Sequence, residues 1–88
     1  MLIIKRMTAF KKEVKKIKDK KSLDALKDVL SALIDEKPLE PKHKLNPLQG
    51  GYKGYMDCHI RPDLILIYRI DNQILWLYKI GSHSELFE

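Results

Sequence analysis

The chain has 88 residues, enough for one core and no more, because a domain this small buries only about 60–65% of its extended surface. Hydrophobic residues make up 44% and charged residues 33%, which excludes a disordered chain, and no apolar run approaches the roughly 18 residues of a membrane-spanning helix. A net charge of +5 favours polyanionic partners without choosing among RNA, DNA and an acidic protein, and a lone cysteine, Cys58, rules out an internal disulfide or a multi-cysteine zinc site.

Residues 1–88 are therefore read as a single domain. The apolar stretch in Met1-Leu2-Ile3-Ile4 is too short for a secretory leader, so the cytoplasm is the expected compartment and no membrane partner is expected. Residues 2–6 read as a short strand closed by Lys5 and Arg6. Thr8 is a candidate helix N-cap, and Phe10, Val14 and Ile17 form one stripe of a helix over 8–20 whose other positions are filled by lysines. Ser22 is the candidate cap of a second helix, with Leu23, Leu26, Val29, Leu30, Leu33 and Ile34 on its apolar face and Pro38 beyond its end. Residues 37–51, with three prolines and Gly50-Gly51, read as a connecting loop.

Three strands follow, at 52–60, 63–70 and 74–81, rich in β-branched and aromatic residues. With Asp71-Asn72-Gln73 as the hairpin loop, Ile70 faces Ile74, Tyr68 faces Trp76, Leu66 faces Tyr78 and Leu64 faces Ile80. The order β-α-α-β-β-β predicts an α+β fold: an antiparallel sheet with an N-terminal helical hairpin on one face and the other face free for water or a ligand.

Arg61-Pro62 reads as a tight connection, which places His59 and Asp63 around one turn. The hairpin register sets Asp63 opposite Gly81, so Lys79 and His83 come to the same end of the sheet. Cleaving RNA through its 2′-hydroxyl needs a base, a cation for the phosphorane-like transition state and an acid for the leaving oxygen, and these four side chains cover those roles without a metal or other cofactor. Spacing alone leaves open that His59 and Asp63 only cap strand ends by hydrogen bonding. A zinc site has little support without an HExxH or a cysteine cluster, and Ser82-His83-Ser84 lacks the elbow of a serine nucleophile. The lysines from Lys11 to Lys21 read as a solvated face, and Tyr52, Tyr55, Tyr68 and Trp76 as packing residues, although Tyr55 shares a strand face with Asp57 and His59 and could contact a base. Cys58, on the opposite face, belongs in the core.

Asn46-Pro47-Leu48-Gln49-Gly50, Gly54-Tyr55, Cys58-His59-Ile60-Arg61-Pro62-Asp63, Leu66-Ile67-Tyr68 and Gly81-Ser82-His83-Ser84-Glu85-Leu86-Phe87 resemble the YafQ branch of the RelE/ParE toxin superfamily, closely in the carboxyl-terminal half and in order and spacing throughout. The resemblance implies the toxin of a type II toxin–antitoxin system: a ribosome-dependent mRNA endonuclease held inactive by a cognate antitoxin; on its own the chain is expected to be a monomer. It implies catalytic roles for His59, Asp63, Lys79 and His83, with Asn46, Tyr55, Arg61 and Phe87 as RNA contacts. Relatives often have histidine where this chain has Asn46, arginine in place of Lys79 and tryptophan in place of Leu64; lysine keeps the charge but not the bidentate fork of arginine. The competing expectations are a ParE-like gyrase-inhibiting toxin, which shares the fold without cutting RNA, and a non-enzymatic RNA-binding domain.

Overall fold

A computed structural model describes residues 1–87. Strand β1 (Ile3–Arg6) leads into helix α1 (Thr8–Val14) and helix α2 (Lys20–Ile34). The chain continues through a 3₁₀ turn (Pro41–His43), a two-residue strand β2 (Asn46–Pro47) and a second 3₁₀ turn (Gly50–Tyr52). Strands β3 (Met56–Arg61), β4 (Leu64–Asp71) and β5 (Ile74–Gly81) and a one-turn helix α3 (His83–Phe87) complete it. The sheet order is β1-β5-β4-β3-β2. The expected antiparallel sheet is corrected to a mixed one, because β1 lies parallel to β5. That pairing is open to it because the chain returns to β1's neighbour only after both helices and three strands, a connection long enough to run either way.

The first helix stops at Val14 instead of residue 20. Beyond Val14 only Ile17 is apolar before Ser22, so there is no stripe to continue; the backbone turns, packs Ile17 against the core and restarts at Asp19. Asp19, not Ser22, caps the second helix, its carboxylate accepting the Ser22 N–H at 2.9 Å. Thr8 does not cap the first helix either; Met7 holds that position without a side-chain bond. Phe10 from α1 and Leu26, Val29 and Leu33 from α2 bury against Cys58, Leu66, Leu75, Leu77 and Ile80, while Leu23, expected on that face, is exposed. No helix among the described residues is long and apolar enough to cross a membrane.

The hairpin register differs from expectation by one step at the turn and a second along the strands. Asn72 and Gln73 both take positive φ, 52° and 63°, so a two-residue turn pairs Asp71 with Ile74 and Arg69 with Trp76. Between the Tyr68–Leu77 and Ile67–Lys79 pairs, Tyr78 is an extra residue on β5. This bulge turns Tyr78 and Lys79 both toward the face away from α1 and α2, returns Ile80 to the core, and leaves the Ile80 N–H to donate to Glu13 Oε1 at 3.1 Å. The β3–β4 connection also shifts: Arg61 pairs with Leu64, so Pro62-Asp63 rather than Arg61-Pro62 forms the turn.

Candidate active site

The face of the sheet away from α1 and α2 carries a second, smaller core. Ile65 and Ile67 pack there under Leu86, with Leu48, Tyr52, Tyr55, Tyr78 and Phe87 around them. What holds α3 on this face is local. Ser82 and Glu85 form a reciprocal capping pair, the Ser82 N–H donating to Glu85 Oε1 at 2.8 Å and the Glu85 N–H to Ser82 Oγ at 3.2 Å. These bonds hold the Glu85 carboxyl below the usual carboxylate range. A side chain at Gly81 would put its Cβ 3.0 Å from Glu85 Oε1, so glycine allows α3 to fold back directly on the end of β5.

His83, the first residue of α3, is placed by this device, and Asp63 in the β3–β4 turn adds to it by accepting the His83 N–H at 3.2 Å through Oδ1. The two register shifts therefore bring Asp63 beside His83 rather than opposite Gly81, which pairs with Ile65. From β3, His59 points to the same face. Its carbonyl accepts the Nδ1–H of buried His43 at 2.7 Å, which ties the 37–51 segment to the strand.

An open cavity of about 450 Å³ is lined by His59, His83, Asn46, Asp57, Ile65 and the Lys44-Leu45 backbone segment. Of the residues expected in the site, His59, His83 and Asn46 line it and Asp63 contacts it through His83. Phe87 stands next to it, its ring 5.1 Å from that of His83. Lys79 does not line it: its ammonium lies 5.6 Å from the centre of the Tyr78 ring. Tyr55 packs into the aromatic group, 5.1 Å from Tyr78. Arg61 lines an adjoining cavity of about 470 Å³ that shares His59 and Lys44 with the first, its Nη1 3.8 Å from Asp19.

Asp57 is the residue that sequence reasoning left out of the site. It is 8% exposed, its Oδ1 is enclosed without a hydrogen-bond partner, and it faces the cavity between the two histidines. Burial pushes its carboxyl up, opposed by His59, the neighbouring Asn46 side chain and His83. The alternation Asp57-x-His59 on one strand face was the available signal. Cys58, on the other face, is fully buried and its thiol is pushed up to about 12 by burial.

Residues 2–88 match the model of the bacterial toxin of type II toxin–antitoxin systems, YafQ. The chain belongs to the YafQ toxin family. Among its relatives, the mRNA interferase toxin YafQ of Escherichia coli K12 is 41% identical over 68 residues, 76% of this chain and 74% of that protein. YafQ in the E. coli DinJ–YafQ complex superposes with a TM-score of 0.85 at 35% identity, with both chains covered completely. A metal-bound toxin from Helicobacter pylori superposes equally well, TM-score 0.85 at 44% identity, covering 99% of this chain and 100% of that one. The α+β fold with its five-stranded sheet and three helices is thus that of the YafQ structures.

Proposed function

We propose that this YafQ-family toxin is an endoribonuclease that cuts mRNA on the ribosome and so arrests translation, and that an antitoxin supplied in trans holds it inactive in the cytoplasm. The observation that carries this reading is the meeting of His59 and His83 on one open cavity, with Asp63 bonded to the backbone of His83. The relatives named above as an mRNA interferase and as a partner of DinJ support the reaction class and the partner.

The 2′-hydroxyl of the nucleotide before the cut attacks its own phosphate, and the 5′-oxygen of the next nucleotide leaves. One imidazole takes the 2′ proton and another acid protonates the leaving oxygen. His83, exposed at the rim, and Asp63, whose Oδ1 engages the His83 amide, act as the proton-transfer groups. His59, whose backbone is anchored through its carbonyl to His43, orients the substrate or serves as the second acid–base group. Lys79, whose ammonium rests over Tyr78 outside the cavity, swings on its flexible stem to meet the phosphate, Phe87 forms a stacking wall beside His83, and Asn46, Tyr55 and Arg61 contact RNA outside the scissile bond. The chemistry draws on side chains alone and calls for no cofactor. An acidic antitoxin segment that folds on binding would mask the open site, in keeping with the charge of +5.

Primer-extension mapping of cut sites in translated mRNA tests this. The parent protein should produce discrete cuts, and His83→Ala should reduce their rate on the order of 10²–10⁴-fold while remaining folded. Cutting at the parent rate by both His83→Ala and Asp63→Ala would refute the role assignment. Inhibited gyrase supercoiling with no cuts in mRNA would replace the function with that of a ParE-like toxin.

A further inference from the structure

Beyond the cavity, the open face carries a row of side chains that neither core explains. Lys5 on β1 pairs with Trp76 on β5, Trp76 pairs with Arg69 on β4, and the Arg69 guanidinium lies 5.5 Å over the ring of Tyr55 at the entry to β3. Leu75 and Leu77, on either side of Trp76, are buried against the helices, so alternation directs Trp76 and its partners to the other face. The row reads cation, aromatic, cation, aromatic across the sheet, about 14 Å at about 4.8 Å per strand step.

Two features mark it as a binding surface. Trp76 is the only tryptophan of the chain, yet it stands in neither hydrophobic cluster and keeps part of its surface exposed. Arg69 is held by an aromatic ring rather than by a carboxylate, and its Nε–H is enclosed without an acceptor among the described residues. A partly exposed tryptophan, and a guanidinium stacked on a ring with no carboxylate partner among the described residues, are groups that base faces and phosphates engage.

We infer that Tyr55, Arg69, Trp76 and Lys5 form a track for single-stranded RNA leading away from the cleavage cavity, with Trp76 stacking a base and Arg69 and Lys5 contacting the backbone. The track joins the cavity through an unbroken aromatic path: His83 to Phe87 at 5.1 Å, Phe87 to Tyr52 at 6.1 Å and Tyr52 to Tyr55 at 6.4 Å. This rests on the reading of the cavity as an RNA-cleaving site and extends it to substrate beyond the scissile bond. The favoured occupant is RNA rather than an acidic polypeptide because the row offers as much aromatic surface as charge, and an acidic chain would use only the charge. Asp71, on the same face one step past Arg69, opposes any polyanion and is the built-in counter-test.

The test uses the full chain carrying His83→Ala, so that RNA is not consumed, and a fluorescent single-stranded oligoribonucleotide titrated at several salt concentrations. Trp76→Ala and Arg69→Ala should each weaken binding about five-fold or more, Trp76→Phe should retain most of it, and Lys5→Ala should lower the salt slope by about one. Asp71→Asn should tighten binding, and the intrinsic fluorescence of Trp76 should be quenched by RNA. Because Trp76 is partly buried, thermal melting is measured for Trp76→Ala and Trp76→Phe alike, so that lost binding is read only in folded protein. Equal affinity of the Trp76, Arg69 and parent proteins, or absence of oligonucleotide binding by the parent, would overturn the track. So would poly-glutamate that binds as tightly with the same dependence on Trp76. Cleavage of translated mRNA by proteins with His83 intact is measured in parallel: cuts that need His83 but ignore Trp76 sink the track and leave the nuclease standing, whereas loss of cutting by the parent sinks the nuclease.

Discussion

A carboxylate that is 8% exposed, with one oxygen enclosed and unpartnered, keeps its charge at a cost to folding. Asp57 is such a group, and burial raises its carboxyl above the ordinary value of 3.8, with His59, Asn46 and His83 pulling the other way. A raised native value means that the folded state binds the proton more tightly than the unfolded chain does. Stability is then greatest below the unfolded value, falls as pH rises between the unfolded and the native values, and is lowest above both. Asp57→Asn removes the charge and with it this dependence. The variant should melt higher than the parent at pH 7, and the gap should close as pH is lowered toward about 4, as followed by circular dichroism melts across a pH series. A variant that melts lower at pH 7 would show that the imidazoles stabilise the charge by more than burial opposes it. The same substitution should slow RNA cleavage, since Asp57 lines the cavity between the two histidines.

Helix α3 spans only five residues and owes its place to caps rather than to propensity. Ser82→Ala removes the hydroxyl that accepts the Glu85 N–H and should cost about 1 kcal/mol in urea unfolding. Its effect on cleavage should be larger than that figure suggests, because a displacement of about 1 Å in a reacting group can cost on the order of 10²-fold. Cleavage unchanged beside the expected loss of stability would show that His83 does not depend on its helix. The capping pair was legible in Ser82-His83-Ser84-Glu85, a spacing that marks a helix start, but five residues carry no periodicity and the segment reads naturally as a tail. Strands β1, β3, β4 and β5 were equally plain, but the two-residue β2 inside the 37–51 segment, read as loop, was not, and neither was register. Asn72-Gln73 lacks the glycine that signals a two-residue turn, although asparagine tolerates the left-handed backbone it adopts there, and nothing local announces the bulge at Tyr78. Asp63 and His83 still meet because the two shifts together move Asp63 along the strand axis toward His83 instead of to the other face. Lys79 fared differently: placed by the bulge beside Tyr78, it reaches the aromatic group rather than the cavity that its position in sequence suggests.

At the scale of the whole molecule, two cores share one sheet, and they divide the work of the chain. The larger one joins α1 and α2 to the sheet and contains the alternate residues of β3, β4 and β5, which is why apolar periodicity disclosed it. The smaller one supports the site and mixes aromatic residues from the 48–55 segment, β5 and α3, which no single periodicity connects. A chain of this size has about 4–13 kcal/mol of stability, so one large truncation in the main core should consume much of it. Leu66, fully buried at the centre of β4, is such a position, and Leu66→Ala should cost about 2–5 kcal/mol. Cys58 offers a direct readout, because its thiol is fully enclosed, pushed up to about 12, and exposed only when the helices leave the sheet. A thiol reagent should therefore label the parent at the rate set by global opening, and Leu66→Ala should accelerate labelling about 30-fold for each 2 kcal/mol lost. Labelling of the two proteins at one rate, with their urea midpoints apart, would mean that Cys58 is reached by a local opening and that the layer of helices is not one cooperative unit with the sheet.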